Sequence, residues 1–500
     1  MAKTNLIYNV EDKPSWGKTV VFALQQLLAI LAATIAVPAI IGHGMSQSAA
    51  LFGAGVGTLV YLLFTKFKSP VFLGSSFAFL GSMSAAFAGA VSAAAGYLGL
   101  VLGAILAGLV YVALAIAVKF AGTRWITKLM PAVVIGPTVA IIGLSLAGNA
   151  VGDLLKGSYY VPAVGTGVFD AKGLADLGDT LIQSQELFDG NFFASFNTSV
   201  VSTNMWIALV CGLVTLFTTI LVSVYAKKFL KMIPFIIGIL AGYAVAAAFT
   251  GLGYALNNDA LKVINFGLFQ NMQWLPEFTF ITAFKSFGDF ANAGEFFAYF
   301  GSVAVAYVPV AFVVFAEHIA DHKNLSSIID RDLLTEPGLH RTLLGDGVGS
   351  MAGAFFGGCP NTTYGESVGT VAISGNASIR TIVVTAFMAI VLAFIAPFST
   401  FLATIPSCVM GGVCIALYGF IAVSGLKMIQ GSDLGDNRNL FVVSVILIAG
   451  IGGLTLTIGG TVTLTEVACA LILGIIINIV VRLGKKDKAE EAPIEAKPEE

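Results

Sequence analysis

The sequence predicts an all-α polytopic membrane protein with fourteen transmembrane segments in two inverted repeats of seven. Composition, recurring apolar segments and the placement of charge support this fold class. Of 500 residues, 57% are hydrophobic and 11% charged, with a mean hydropathy of +0.90. Soluble domains carry about 25% charged residues. The shortage of charge extends over most of the chain, which excludes a soluble fold and indicates repeated membrane crossing.

Apolar segments long enough to cross about 30 Å of hydrocarbon recur in both halves of the chain. Pro, Gly and polar residues interrupt the third and the tenth of them. In the first half the segments are 18–41, 46–65, 70–92, 95–118, 129–150, 204–226 and 231–251. In the second half they are 297–320, 341–357, 360–377, 380–400, 404–426, 439–457 and 461–482.

Basic residues fall on one side of this arrangement. With the N-terminus inside the cell, 22 of the 26 Lys and Arg residues are cytoplasmic, and the other four are Lys156, Lys172, Lys262 and Lys285. The positive-inside rule therefore predicts that both termini are cytoplasmic. Segments 151–203 and 252–296 become long extracytoplasmic loops. Residues 483–500 are polar and lack apolar periodicity, so we expect a disordered cytoplasmic tail.

Two pairs of matching motifs indicate the internal repeat. LMPAVVIG (129–136) resembles TIPSCVMG (404–411), in the fifth and twelfth segments, and KSPVFLGSSFAF (68–79) resembles GGCPNTTYGE (357–366), in the third and tenth. Because seven is odd, corresponding segments run in opposite directions. Matching Pro and Gly interruptions predict discontinuous helices near the membrane midplane, which must face protein or a cavity rather than lipid. Each following half-helix presents its N-terminal amides to that cavity.

Carboxylates within apolar segments are the strongest candidates for a binding site. An acidic residue at the centre of a membrane helix costs about 2.5–3.5 kcal/mol on insertion scales and usually marks a transport pathway. Glu317 and Asp321 are four residues apart and share one helix face. Glu366 follows the tenth-segment interruption, next to Gly365, where a ligand can approach the backbone. Glu466 lies near the outer end of the last segment, and we predict a structural or interfacial role for it.

Two carboxylates in one dry cavity cannot both remain ionised at neutral pH, so they share protons as a coupled pair. Such a pair suits a flat, neutral ligand that donates N–H groups to carboxylate oxygens. It also suits proton coupling, because a change in protonation alters ligand affinity. Phe77 corresponds to Tyr364 in the repeat and is a candidate for stacking on a ring.

Four motifs carry a family resemblance: PNTTYGE (360–366), AEHI (316–319), LGSSFAF (73–79) and MGGVCIALYGFIAVSG (410–425). Together they resemble the uracil permease branch of the nucleobase–ascorbate transporter family. The resemblance extends from residue 25 to residue 482, apart from the two long outer loops. PNTTYGE is the most specific motif, since purine-selecting relatives usually carry a different version that contains Gln and Asn.

The resemblance implies a core domain (18–118 and 297–400) that moves against a gate domain (129–251 and 404–482). It implies short antiparallel β-strands in the third and tenth segments, and a homodimer. Glu317 and Glu366 would hold the edge of the base, and Phe77 would pack on its ring. The rest of the implied pocket consists of the backbone of Tyr364 and Gly365, the small Ala33, and Tyr418 from the gate side.

Two positions depart from the family pattern. Related bacterial permeases have Gln-His in the first segment, where this chain has Gln25-Gln26, and they tend to have His four residues after the first glutamate, where this chain has Asp321. The proton-coupling residue is therefore left open among Asp321, Glu317 and His322.

The predicted function is proton-coupled import of uracil across the inner membrane by alternating access. The alternatives are a purine permease for a base such as xanthine, or an anion transporter of the same architecture, which the two glutamates argue against. An enzyme is disfavoured, because the sequence shows no paired nucleophile and base, metal-ligand spacing or phosphate loop. The five cysteines are predicted to be buried thiols. We expect no cofactor, metal or nucleic-acid partner.

Overall fold

The computed structural model describes residues 6–122, 124–169, 182–188, 191–458 and 462–483. Its helices in the first half are α1 Trp16–Ile41, α2 Gln47–Phe64, α3 Leu80–Ala88, α4 Ala93–Ala121, α5 Arg124–Leu129, α6 Ala132–Ser145, α7 Ala147–Leu154, α8 Met205–Tyr225 and α9 Pro234–Ala255. In the second half they are α10 Thr279–Lys285, α11 Ala293–Ile329, α12 Leu339–Gly357, α13 Gly365–Ser374, α14 Ile379–Ala393, α15 Ala396–Thr404, α16 Ser407–Ile429, α17 Asn437–Ile451 and α18 Glu466–Arg482.

Long apolar helices dominate the described part of the chain. Eight are long and apolar enough to cross a membrane, counting α6 with α7 as one, and the bent pair α14 and α15, at 83° to each other, makes a ninth. The protein is therefore a multi-pass membrane protein. The other five predicted segments coincide with broken, shorter or more polar elements: α3, α12, α13, α17 and α18, each at its expected place along the chain.

The interruptions in the third and tenth segments are extended backbone. Strand β1 (Leu73–Ser75) pairs antiparallel with β5 (Asn361–Thr363) in the register Leu73 with Thr363 and Ser75 with Asn361. All six residues are buried. Because each strand satisfies the backbone groups of the other, a short non-helical stretch is stable inside an apolar protein. A helix follows each strand: α3 after β1, through a 3₁₀ turn at Phe77–Phe79, and α13 after β5.

The structure corrects the all-α expectation at two further places. Strands β2 (Tyr160–Phe169), β3 (Ile182–Phe188) and β4 (Asn191–Val201) form an antiparallel sheet in the first long loop, in the order β2–β4–β3. Strands β6 (Leu456–Ile458) and β7 (Val462–Leu464) pair where the thirteenth and fourteenth segments were predicted to be helical. There the sequence TLTIGGTVTL alternates threonine with aliphatic residues on each side of a Gly-Gly pair, which favours a hairpin over a helix.

Small residues allow the helices to pack closely. Helix α2 packs on α12 and α14, and α4 packs on α11 and α12, whereas α16 packs on α6, α7 and α8. At the crossing of α2 and α12, a Cβ on Gly53 would lie 2.3 Å from the carbonyl oxygen of Gly353. At the crossing of α6 and α16, a Cβ on Gly425 would lie 2.5 Å from that of Gly136. Any larger side chain at these positions would force the helices apart.

Two further expectations concern the cysteines and the C-terminal tail. All five cysteines are buried free thiols, as predicted. The predicted disordered tail lies outside the described residues, apart from residue 483, and so do 170–181 and 189–190 of the first long loop.

Candidate functional site

The centre of the candidate site is the β1–β5 pair. The hydroxyl of Tyr364 donates a 2.8 Å hydrogen bond to the carbonyl oxygen of Ser75, and the amide of Ser76 donates one of 2.9 Å to the carbonyl of Pro360. The Tyr364 ring packs closely against β1, because a Cβ on Gly74 would stand 2.2 Å from that ring. Tyr364 is buried, and its side chain therefore locks the two strands together.

Helix α13 begins directly after this lock. Gly365 is its first residue and is exposed, and Glu366 is half-buried in its first turn. Ser367 is buried, and its hydroxyl oxygen accepts hydrogen bonds from the backbone amide of Phe72 (2.9 Å) and from Gln26 Nε2 (2.5 Å). These bonds tie the start of α13 to α1 and to the residue before β1. These bonds fix the first turn of α13, and with it the position of Glu366 and of the N-terminal amides that lack intrahelical partners.

Glu317 and Asp321 face this helix start from α11. The hydroxyl of Thr363 donates a 2.8 Å hydrogen bond to Asp321 Oδ2. A Cβ on Gly365 would meet only Asp321 Oδ1, at 3.9 Å, so there is open space in front of that glycine. Both acidic side chains of α11 are half-buried, and Glu317 lies one helical turn before Asp321. Glu366 adjoins Gly365, so the three predicted carboxylates lie around the start of α13.

The predicted aromatic residues contact each other across the interior. Phe77 and Tyr418 meet edge to face, with ring centroids 5.7 Å apart and an interplanar angle of 81°. Phe77 follows β1 and Tyr418 lies on α16, so this contact joins the segment after β1 to helix α16. Both rings are buried, and Ala33 is buried on α1.

His322 lies apart from the cluster. It is buried, its Nε2 is 2.7 Å from the Tyr61 hydroxyl, and its Nδ1 donates to the carbonyl of His318 at 2.8 Å. The Tyr61 hydroxyl also lies 2.7 Å from Ser69 Oγ. Both ring nitrogens therefore have protein partners, and the imidazole points toward α2 rather than toward Glu366.

A buried polar pair that was not predicted from the sequence joins α11 to α12. His318 Nδ1 is 2.7 Å from Asp346 Oδ2, and His318 Nε2 is 3.0 Å from Thr342 Oγ1. All three residues are buried. Asp346 lies in the predicted segment 341–357, so the rule that selected Glu317 would have selected it too. His318 carried no such signal, because a histidine beside a glutamate is indistinguishable from an interfacial one until the fold is known.

A family model described as a permease family matches residues 17–173 and 190–459, which is most of the chain. The chain belongs to this permease family. The resemblance drawn from PNTTYGE and AEHI is thereby confirmed. The protein is a transporter rather than an enzyme, in line with the prediction.

Relatives of this permease are similar over nearly their whole length. The uracil permease of Bacillus caldolyticus is 37% identical over 487 residues, covering 97% of this chain and 96% of the relative. The uracil permease of Bacillus subtilis (strain 168) is 34% identical, covering 98% of each chain. That of Escherichia coli (strain K12) is 32% identical, covering 99% of this chain and 98% of the relative.

Solved structures share the fold of this permease at low identity. The transmembrane domain of the cyanobacterial bicarbonate transporter BicA superposes with a TM-score of 0.59 at 15% identity, covering 96% of this chain and all of that domain. The murine anion transporter Slc26a9 in its inward-facing state gives 0.59 at 12% identity, covering 95% of this chain and 69% of that one. At these identities the likeness concerns the fold alone.

Proposed function

We propose that this permease imports uracil together with protons by alternating access. The observation that carries the proposal is the carboxylate cluster formed by Glu366, Glu317 and Asp321 around the start of α13, beside the open face of Gly365. The relatives named uracil permeases support the choice of base.

The chemistry of the cluster matches a uracil-like ring. Uracil is flat and neutral, and its two ring N–H groups are donors that carboxylate oxygens can accept. The N-terminal amides of α13 are donors for its carbonyl oxygens, since the first amides of a helix lack intrahelical partners. Phe77 offers an aromatic surface for the ring. An anion would meet three acidic side chains here, which disfavours an anionic substrate despite the fold shared with anion transporters.

Asp321 is the proposed proton carrier. It lies beside both Glu366 and the Gly365 backbone, so its charge acts directly where the ligand would bind. His322 is less suitable, because both of its ring nitrogens are already engaged with Tyr61 and His318. A change in the protonation of Asp321 would alter the charge shared by the three carboxylates and would couple substrate affinity to the proton gradient.

The architecture proposed for transport has fourteen segments in two inverted repeats, with both termini in the cytoplasm and the protein in the inner membrane. The core (18–118 and 297–400) would carry the carboxylates past the gate (129–251 and 404–482). The antiparallel β1–β5 pair and the Phe77–Tyr418 contact between α16 and the 3₁₀ turn support this division. A homodimer in the lipid bilayer is part of the same proposal.

A competition panel tests the substrate. Cells that express the permease should accumulate radiolabelled uracil saturably, and excess unlabelled uracil should abolish the uptake, whereas xanthine should not. A protonophore should abolish uptake as well. Competition by xanthine alone would assign the permease to purines, and uptake that persists with the protonophore would refute proton coupling.

A further inference from the structure

The segment that precedes α1, residues 6–15, lies along the face where the N-terminus is proposed to be cytoplasmic; we call it the N-terminal strap. Its backbone pairs with the chain after α13: the amides of Ile7 and Tyr8 donate to the carbonyl of Gly375 at 2.7 and 3.1 Å. In return, the amides of Ala377 and Ile379 donate to the carbonyls of Tyr8 and Val10, at 2.9 and 3.1 Å. Gly375 is the C-cap of α13, directly after its last residue.

Val10 anchors the strap. Its side chain is only 2% exposed, although it belongs to a polar stretch of the sequence. It joins an apolar cluster to which α13 contributes Val368 and Val371, and α11 contributes Leu325 and Ile329. The strap therefore covers the ends of both helices that carry the carboxylates.

Glu11 adds a second connection to α11. Arg331, two residues beyond that helix, donates to both Glu11 oxygens, at 2.7 Å from Nη2 to Oε2 and through a second bond from Nη1 to Oε1. This guanidinium lowers the pKa of Glu11, so the pair is charged at neutral pH. Both side chains are about half exposed or more, and such pairs contribute little to stability. Their two-point geometry instead defines where the strap lies relative to α11.

The contacts of the strap with α13 influence the orientation of Glu366. Helix α13 has ten residues and is roughly 15 Å long. Ser367 fixes its first turn, and α1 and α11 pack along its side. The strap holds the far end, where a loss of contacts would allow the helix to tilt. A tilt of α13 would change the direction of the Glu366 carboxylate relative to Glu317 and Asp321.

We propose that Val10 and Glu11 are positioning residues for substrate binding: the N-terminal strap holds the far end of α13 against α11 and so keeps Glu366 aligned with the other two carboxylates. This role rests on the proposed function of the carboxylate cluster. It assigns a part in substrate binding to a segment outside the membrane.

The test uses the purified full-length protein and two readouts. Val10→Ala and Val10→Asp should accelerate hydrogen–deuterium exchange of the amides of 365–374 and leave those of α16 unchanged. The uracil dissociation constant should rise about fivefold if the aligned orientation falls to about one fifth of the population, because apparent affinity scales with that fraction. Ile7→Ala is the matched control, since Ile7 is 65% exposed in the same strap.

A charge swap separates positioning from general stability. Glu11→Arg should weaken uracil binding, and the double variant Glu11→Arg with Arg331→Glu should restore it, whereas Lys13→Gln should have no effect. Slower or unchanged exchange in 365–374 would overturn the proposal for any substrate. A lower melting temperature with an unchanged dissociation constant would also overturn it and reduce the strap to a structural element. If the wild-type protein binds no uracil, the proposed function fails, and the exchange result alone decides whether the strap holds α13.

Discussion

At the scale of single residues, the position of each carboxylate suggests a separate role. Glu366 stands in the first turn of a half-helix, Glu317 and Asp321 stand one turn apart on α11, and Asp321 alone accepts a hydrogen bond from Thr363. A carboxylate that already accepts a hydrogen bond from a hydroxyl has fewer free oxygen lone pairs for a ligand. Its charge can still change when it gains or loses a proton. We therefore propose that Glu366 binds the ligand and that Asp321 exchanges the proton.

Glu366→Gln should weaken uracil binding on the order of 10- to 100-fold, which corresponds to a charged hydrogen bond worth about 1.5–3 kcal/mol. Glu466→Gln is the matched control, because Glu466 is also a first-turn glutamate, in α18. Equilibrium binding of labelled uracil to purified protein measures the effect. Equal affinity of wild type and Glu366→Gln would remove Glu366 from the site.

Asp321→Asn should uncouple transport from the proton gradient. An amide keeps the size and the hydrogen bond from Thr363 but cannot exchange a proton in the physiological range. Uracil uptake driven by an imposed pH gradient should disappear in proteoliposomes, while exchange of internal and external uracil continues. Thr363→Val serves as the control, because it removes the hydrogen bond and keeps the carboxylate. Proton-driven uptake by Asp321→Asn at the wild-type rate would contradict the assignment.

At the scale of the elements, the short strands β1 and β5 replace a stretch of membrane helix with a strand pair whose backbone groups hydrogen-bond to each other. We call this pair the strand platform. Three residues on each side suffice, since neighbouring side chains add hydrogen bonds: the backbone amide of Leu73 donates to the Thr58 hydroxyl, and the side-chain amide of Asn361 donates to the carbonyl of Gly53. The platform then places the starts of α3 and α13. It leaves least room for a larger side chain at the contact between β1 and the Tyr364 ring.

Gly74→Ala should destabilise the protein by about 1–3 kcal/mol, the usual cost of overpacking a buried site. The added methyl would collide with the Tyr364 ring, whose position is held by its bond to Ser75. The melting temperature in detergent should fall, and uracil binding should weaken with it. Gly148→Ala is the control, because a Cβ there would meet no atom within 4 Å. Equal melting temperatures for the two variants would show that the ring can move aside.

At the scale of the whole molecule, orientation in the membrane follows from the count of segments and can be tested by labelling. The five native cysteines are buried, so we expect them to contribute little to maleimide labelling. A cysteine that replaces exposed Lys156 should react with a membrane-impermeant maleimide in intact spheroplasts. One that replaces exposed Lys427 should react only after permeabilisation. Reaction of both from the outside would contradict the fourteen-segment topology.

Much of the fold followed from the sequence, because lipid imposes simple rules. Eight helices and one bent pair coincide with predicted segments, since each must be long and apolar enough to cross about 30 Å. The paired strands Leu456–Ile458 and Val462–Leu464 were not predicted, because hydropathy cannot distinguish an apolar strand from the end of an apolar helix. The pairing of Asp346 with His318 could not be predicted, because the two residues lie 28 positions apart on different helices.

The sequence by itself determined that this chain is a membrane permease and which carboxylates are anomalous, because charge in an apolar segment is costly wherever it occurs. Only the tertiary structure decided their grouping. It brought Asp321 next to Gly365, turned His322 toward Tyr61, and laid residues 6–15 across the end of α13. Those arrangements depend on contacts between residues tens to hundreds of positions apart, and such contacts leave no periodicity in the sequence to read.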